Sequence, residues 1–146
     1  MLVCTSGGHF STMMGLKNFW SQHDRVWVTD LKEDTSRISA SEYVHWLPYQ
    51  APRDYFAIVK NLPAALNILR RERPDMVICT GASLAITFGI LAKVLGYRFI
   101  YVESISRSSD LSISGKLVYP IADEFYVQWQ QLTHKYPKAL FKGTVV

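Results

Sequence analysis

The chain has 146 residues, 49% apolar and 19% charged, the balance of one globular domain with its own core. A formal charge of +4 favours anionic partners, such as a phosphorylated ligand or a membrane surface. A spanning helix is excluded, because no apolar run reaches the ~20 residues it needs, and no signal-peptide pattern precedes the first strand.

In chain order, an apolar run over Met1–Thr5 reads as a strand. It breaks at Ser6-Gly7-Gly8-His9 into a helical pattern over Ser11–Ser21. Strands follow at Arg25–Asp30 and Tyr43–Leu47, then a long helix over Asp54–Arg73. Asp54 is placed to cap that helix, and Pro63 predicts a kink or a late start. A fourth strand, Asp75–Thr80, ends in Thr80-Gly81-Ala82-Ser83 and leads into a helix over Leu84–Leu95. A fifth, Arg98–Glu103, runs into Ser104-Ile105-Ser106-Arg107. A helix over Ser112–Ala122, a strand over Glu124–Gln128 and a helix over Trp129–Tyr136 complete the pattern. The apolar ending Thr144-Val145-Val146 suits either a final strand or an interface.

Solidly apolar strands alternating with helices predict a doubly wound, mostly parallel, Rossmann-like α/β domain over residues 1–146. Cys4 and Cys79 sit inside strand patterns and read as reduced core thiols. No Cys or His pair has zinc-ligand spacing, and neither a metal nor a cofactor is expected.

The runs Val3-Cys4-Thr5-Ser6-Gly7 and Ile78-Cys79-Thr80-Gly81-Ala82 echo each other. In a sheet ordered 3-2-1-4-5 the first and fourth strands are neighbours, and the loops after them flank the crevice at the switch point. Glycines there allow close approach of an anion to backbone N–H groups, so Ser6, Gly7 and Gly8 are candidate phosphate contacts. Thr80, Gly81, Ala82 and Ser83 form a second candidate nest, with helix capping as the other reading of Ser83.

His9 is a candidate base or acceptor contact, with capping or packing as the alternative. Glu103 is a second candidate acid or base at a strand end. Ser104 is a candidate contact beside it, and Arg107 suits a phosphate. His23, His45 and His134 read as surface or packing residues, and the tryptophans as core or interface anchors. No motif of an RNA-binding sheet accompanies them, and no nucleic acid is expected. Asp30 stands where a dinucleotide fold would hold a ribose, about 20 residues after the glycines. The third glycine of that fingerprint is absent, which leaves a free-standing NAD(P)-type oxidoreductase as the alternative reading.

Together these motifs resemble a known family. Its marks here are Ser6-Gly7-Gly8-His9, the run Arg73-Pro74-Asp75-Met76-Val77-Ile78-Cys79-Thr80-Gly81, and Tyr101-Val102-Glu103-Ser104 followed by Arg107. Ser114-Gly115-Lys116, Ala122-Asp123, Phe125-Tyr126-Val127-Gln128-Trp129 and Tyr136-Pro137-Lys138-Ala139 extend the match over almost the whole chain. The family is that of the membrane-anchoring subunit of eukaryotic dolichol-linked UDP-GlcNAc transferase and of bacterial PssD-type polysaccharide-biosynthesis subunits. It is also similar to the N-terminal half of the MurG lipid II enzyme.

The resemblance implies half of a two-domain GT-B glycosyltransferase, with a partner subunit supplying the other half and most of the UDP-sugar site. This half would hold a lipid-diphosphate-linked acceptor at a membrane, contribute His9 and Glu103 to the chemistry, and be inactive or barely active alone. A variant makes it only an activating scaffold. MurG-like enzymes carry a longer glycine loop, which implies that part of the phosphate role lies with the partner. The missing N-terminal membrane helix points to the bacterial type, in capsule or exopolysaccharide synthesis, peripheral at the inner face of the cell membrane. Lys93 and Arg98 beside Ile90, Leu91, Val94 and Leu95 are the candidate membrane patch, with a core-facing helix as the other reading, expected to hold for most of those apolar residues.

Overall fold

The computed structural model describes residues 1–49, 51 and 54–145. Seven parallel strands form one sheet: β1 (Leu2–Val3), β2 (Trp27–Asp30), β3 (Val44–Leu47), β4 (Met76–Cys79), β5 (Arg98–Val102), β6 (Glu124–Val127) and β7 (Ala139–Phe141). They lie in the order β3-β2-β1-β4-β5-β6-β7. The expected neighbours β1 and β4 are paired, Val3 opposite Cys79, and the order reverses between them.

The helices are α1 (Gly8–Gly15), α2 (Lys17–Trp20), α3 (Glu33–Ser36), α4 (Tyr55–Glu72), α5 (Ala82–Val94), α6 (Ile113–Val118) and α7 (Leu132–Lys135), with a 3-10 turn at Arg37–Ala40. Helix α1 begins at Gly8, three residues before its predicted start, so His9 lies in its first turn. Asp54 caps α4 by accepting from the Ala57 N–H at 3.1 Å. The helix continues through Pro63. Arg73 ends it in the left-handed region at φ 44, a local stop before β4. Helix α3 and strand β7 are the elements that periodicity did not reveal. Glu33–Ser36 is polar throughout, and Ala139–Phe141 is too short to show alternation. Beyond β7 the tail continues to Val145, and the predicted apolar ending at Val146 lies outside the described residues.

Alternation along the strands sends side chains to two cores. Val3, Val77, Cys79, Phe99 and Tyr101 pack with Leu69, Leu84 and Phe88. Leu2, Cys4, Ile78 and Ile100 pack on the other face with Met13, Trp20 and Trp27. The Trp20 indole N–H donates to the Met13 carbonyl at 2.7 Å, and its ring meets Trp27 edge-on at 5.3 Å. Cys4 and Cys79 thus belong to opposite faces, and both are free thiols. Burial pushes Cys4 up to about 12, and Cys79 is raised by the same cause. Trp46 and Trp129 are surface residues, as are His23 and His134, whereas His45 bonds Glu72 at 2.8 Å.

The candidate membrane patch on α5 is divided between its two readings. Leu91 and Leu95 pack against the core, leaving Ile90 and Val94 exposed. Lys93 pairs with Asp123 at 2.6 Å and Arg98 pairs with Glu124, so the basic rim is neutralised by neighbouring carboxylates. Among the described residues no helix is long and apolar enough to cross a membrane.

Helix α5 sits close to β5 because Gly89 leaves room for Phe99: a Cβ there would lie 2.6 Å from Phe99 Cζ. Gly89→Val therefore forces a repacking that should cost about 1–3 kcal/mol. A lowered urea midpoint with unchanged slope is the expected result, and an unchanged midpoint would show that the contact has slack.

Candidate functional site

A cleft of about 1000 Å³ opens at the C-terminal ends of β1, β4 and β5. Ser6, Gly7, Gly8 and His9 line it after β1, Ala82 and Ser83 after β4, and Ser104, Ser106 and Arg107 after β5. Lys32, Asp34 and Tyr49 close one side, while Ile58, Ile86, Leu111 and Ile113 add an apolar sector. Strand-order reversal produces this convergence, because the chain leaves β1 and β4 toward opposite faces of the sheet.

The glycine turn is not the open anion cradle that its composition suggested. The Ser6 N–H and hydroxyl both donate to the Asp30 carboxylate at 2.7 Å. The Gly7 N–H donates to Asp34 at 2.6 Å. Two backbone donors are therefore already paired with carboxylates, which leaves the first-turn N–H groups of α1 from Gly8 onward as the candidate donors to an anion. Gly7 is needed for the turn itself, at φ 80. Asp30 is only 1% exposed and faces Ser6, so it is not available to a ribose, and the oxidoreductase reading loses its key residue.

His9 stands against the end of β4. Its Nδ1 lies 2.7 Å from the Thr80 carbonyl oxygen, and the Thr80 hydroxyl donates to the His9 carbonyl at 2.7 Å. A Cβ at Gly81 would fall 2.3 Å from His9 Cε1. Thr80 and Gly81 are buried behind the histidine, so they form its wall and not a phosphate nest. Of the predicted second nest, Ala82 and Ser83 reach the cleft, Ala82 in the left-handed region at φ 61.

Glu103, a predicted catalytic carboxylate, is 0% exposed and lies behind the cleft wall. One of its oxygens accepts from the Ser104 N–H at 2.9 Å, and the other from the Ser112 N–H and hydroxyl, both at 2.9 Å. Ser112 in turn caps α6 by accepting from the Gly115 N–H at 3.0 Å. Gly115 permits this close seat, since a Cβ there would lie 2.3 Å from the carboxylate. The Tyr101 hydroxyl completes the cluster at 3.2 Å from Ser112 Oγ, its pKa raised first by burial and then by the charge of Glu103. Glu103 therefore holds the loop between β5 and α6 in place and is not a base in the cleft.

Arg107 is exposed on that loop, and no carboxylate pairs with it among the described residues. Sequence reasoning missed Asp34, Lys32, Asp110 and Gln128. Asp34 lies four residues after Asp30, in the first turn of α3. Nothing local marks Gln128, whose amide donates to the Glu103 carbonyl at 3.0 Å and accepts from the Val145 N–H at 2.7 Å.

The far end of the β5–α6 loop is fixed by Asp110. It accepts from Lys116 at 2.6 Å, from the Tyr136 hydroxyl and from Lys135 at 2.9 Å. The Lys116 bond first, then those of Tyr136 and Lys135, hold its carboxyl well below the usual range. A depressed folded value means that the latch contributes above the ordinary pKa of 3.8 and is lost as pH falls through the folded one. The Trp129 indole donates to Ile105 on the same loop at 2.6 Å, which supplies a reporter. Trp129 fluorescence should hold steady down to the ordinary carboxylate range and change only below it. Asp110→Asn should show the loosened signal already at neutral pH, and an acid response identical to wild type would remove Asp110 from this role.

Comparisons with known proteins agree with this architecture. The family described as "Oligosaccharide biosynthesis protein Alg14 like" matches residues 52–145. The human UDP-N-acetylglucosamine transferase subunit ALG14 is 28% identical over 178 aligned positions, covering 100% of this chain and 82% of that protein. Its counterpart from Debaryomyces hansenii is 30% identical, covering 100% of this chain and 75% of that protein. Among solved structures, Acinetobacter baumannii MurG superposes with a TM-score of 0.74 at 14% identity over 97% of this chain. Staphylococcus aureus MnaA, determined with UDP, gives 0.77 at 16% identity over 99%. This chain spans 44% of each of those two, so their likeness establishes one half of a two-domain fold of the GT-B type. With the fold, the switch-point cleft and the match over residues 52–145 in agreement, the chain belongs to the Alg14-like family of oligosaccharide biosynthesis proteins.

Proposed function

We propose that this chain is one subunit of a glycosyltransferase that moves a sugar from a UDP-sugar to a hydroxyl of a lipid-diphosphate-linked acceptor. N-acetylglucosamine is the sugar named for the relatives, and it is the first donor to test. The observation that carries the reading is the convergence of the loops after β1, β4 and β5 on one open cleft with His9 in its wall. The partner subunit supplies the second wall and most of the donor site. The naming of the relatives as transferase subunits supports that division.

In the reaction the acceptor oxygen forms a bond to the sugar's anomeric carbon, and the bond from that carbon to the UDP oxygen breaks with its electron pair. His9 takes the acceptor's proton, and the departing diphosphate carries the charge. Arg107 and the free N–H groups of α1 bind phosphate, whether of acceptor or donor. Lys32, held 3.7 Å above the Tyr49 ring, adds a second cation at the rim. Asp34 carries the opposite charge in the same cleft, which directs phosphate toward the Arg107 side.

The acceptor's lipid places the cleft at a membrane. Phe56 and Val59 on α4 are exposed beside Ile58, which lines the cleft, and Lys60 follows them. Ile113 lines it from α6, with Leu117 exposed one turn further on. This apolar rim replaces the α5 patch as the membrane-facing side in our reading. The setting, supported by the motif resemblance, is bacterial capsule or exopolysaccharide assembly at the inner face of the cell membrane.

A specific alternative keeps the family and removes the chemistry: the chain presents acceptor while its partner performs every catalytic step. His9→Ala in the co-expressed complex separates the two. Turnover should fall about 10²–10⁴-fold if His9 is the base, whereas full turnover would leave the chain a scaffold. Flotation with anionic liposomes at low salt tests the membrane side. Wild type should float and a Phe56→Asp/Val59→Asp double variant should not, and equal flotation of both would move the contact elsewhere.

A further inference from the structure

We infer that Thr80 and Gly81 are positioning residues that fix His9 as its Nδ1–H tautomer and leave Nε2 as the atom that takes the acceptor's proton. The inference rests on the proposed role of His9 as base, and deepens it by naming the reacting atom and what holds it.

Three observations converge. First, His9 Nδ1 lies 2.7 Å from the Thr80 carbonyl oxygen. A carbonyl only accepts, so Nδ1 must carry a proton, and the lone pair of the neutral ring is on Nε2. No partner for Nε2 is found among the described residues, and the ring lines the cleft. Second, the Thr80 hydroxyl donates to the His9 carbonyl at 2.7 Å, which ties the histidine's own backbone to β4. Side chain and backbone of one residue are thus held by backbone and side chain of the other. Third, the imidazole packs where Gly81 has no side chain. A Cβ there would lie 2.3 Å from Cε1 and 2.4 Å from Nδ1, and Gly81 adopts φ 132, which L side chains rarely take.

The chemistry gives this arrangement a purpose. A base paired with a carboxylate is oriented by a negative charge. A backbone carbonyl orients the ring equally well and adds no full charge beside a leaving diphosphate. Glu103 is buried against Ser104 and Ser112, and Asp30 against Ser6, so neither of these nearby carboxylates substitutes for the carbonyl. Thr80 is fully buried with its carbonyl and hydroxyl engaged by His9 and its N–H by the Val3 carbonyl, which accounts for its place at the end of β4.

Long-range proton–nitrogen correlation spectra of the uniformly ¹⁵N-labelled full chain test the tautomer directly. The four histidines are separated by comparison with His9→Ala. At a pH where the ring is neutral, His9 should show a protonated Nδ1 and an unprotonated Nε2, opposite to the preference of a free histidine side chain. A protonated Nε2, or a mixture of the two tautomers, overturns the inference. In the co-expressed complex, Gly81→Ala should lower kcat about 10²-fold with little change in acceptor KM. Should Gly81→Ala not fold, Thr80→Val should lower kcat and Thr80→Ser should restore it, and equal rates for the two overturn the positioning role. If the tautomer is as stated but His9→Ala keeps full turnover, the proposed base falls and the ring's fixed geometry remains. If His9→Ala is inactive but the tautomer is mixed, the base survives and this inference does not.

Discussion

The two hydrogen bonds between His9 and Thr80 close the seam at which the sheet reverses its strand order. Parallel pairing of β1 with β4 brings the strand ends together, but it leaves the loops beyond them free to diverge. The exchange between His9 and Thr80 removes that freedom. It sets the first turn of α1 against the start of α5, and both helix N-termini then face one opening. Gly81 makes the approach possible, because any side chain there would occupy the volume of the imidazole. The cleft is a consequence of this contact and not of the glycine turn alone.

Three carboxylates near the opening are turned to structural use. Asp30 fixes Ser6, Asp34 fixes Gly7, and Glu103 fixes Ser104 and Ser112. Each satisfies backbone donors at a place where the chain leaves a strand; for the part-buried donors of Ser6, Ser104 and Ser112, though not for the exposed Gly7, leaving the N–H unpaired would cost about 1–3 kcal/mol. Glu103 is buried, and its two carboxyl oxygens accept from three donors on Ser104 and Ser112. The result is a firm floor with exposed Arg107 at its edge, unpaired with any carboxylate among the described residues. Such a floor suits recognition of a charged group that arrives from outside the domain.

The tail and the cleft share a buried link. Gln128 joins the Val145 N–H to the Glu103 carbonyl, and the Glu103 side chain joins that strand end to α6. Residues 142–145 also border a second, mainly apolar cavity of about 550 Å³ over Ile78, Ile100 and Val102. The order in which the chain closes its sheet edge is therefore felt at the loop carrying Arg107. A domain that spans under half of its two-domain structural relatives has this network on its own.

The sequence by itself determined six of the seven strands, the order of the first five and the pairing of β1 with β4, because solid apolar runs and glycine turns are local signals, whereas the short β7 is not. It also placed His9, Ser104 and Arg107 at the right end of the sheet, since a residue just past a strand must lie there. It did not show that Asp30 and Glu103 face inward. At a strand end the face a side chain takes changes with every residue, and the partners of these carboxylates lie 24 and 9 positions away. Nor did it show that Thr80 and Gly81 serve His9, which is 71 residues distant from Thr80. A glycine beside a strand reads the same whether its missing Cβ makes room for a phosphate or for an imidazole. Only the folded packing decides which of the two fills the space.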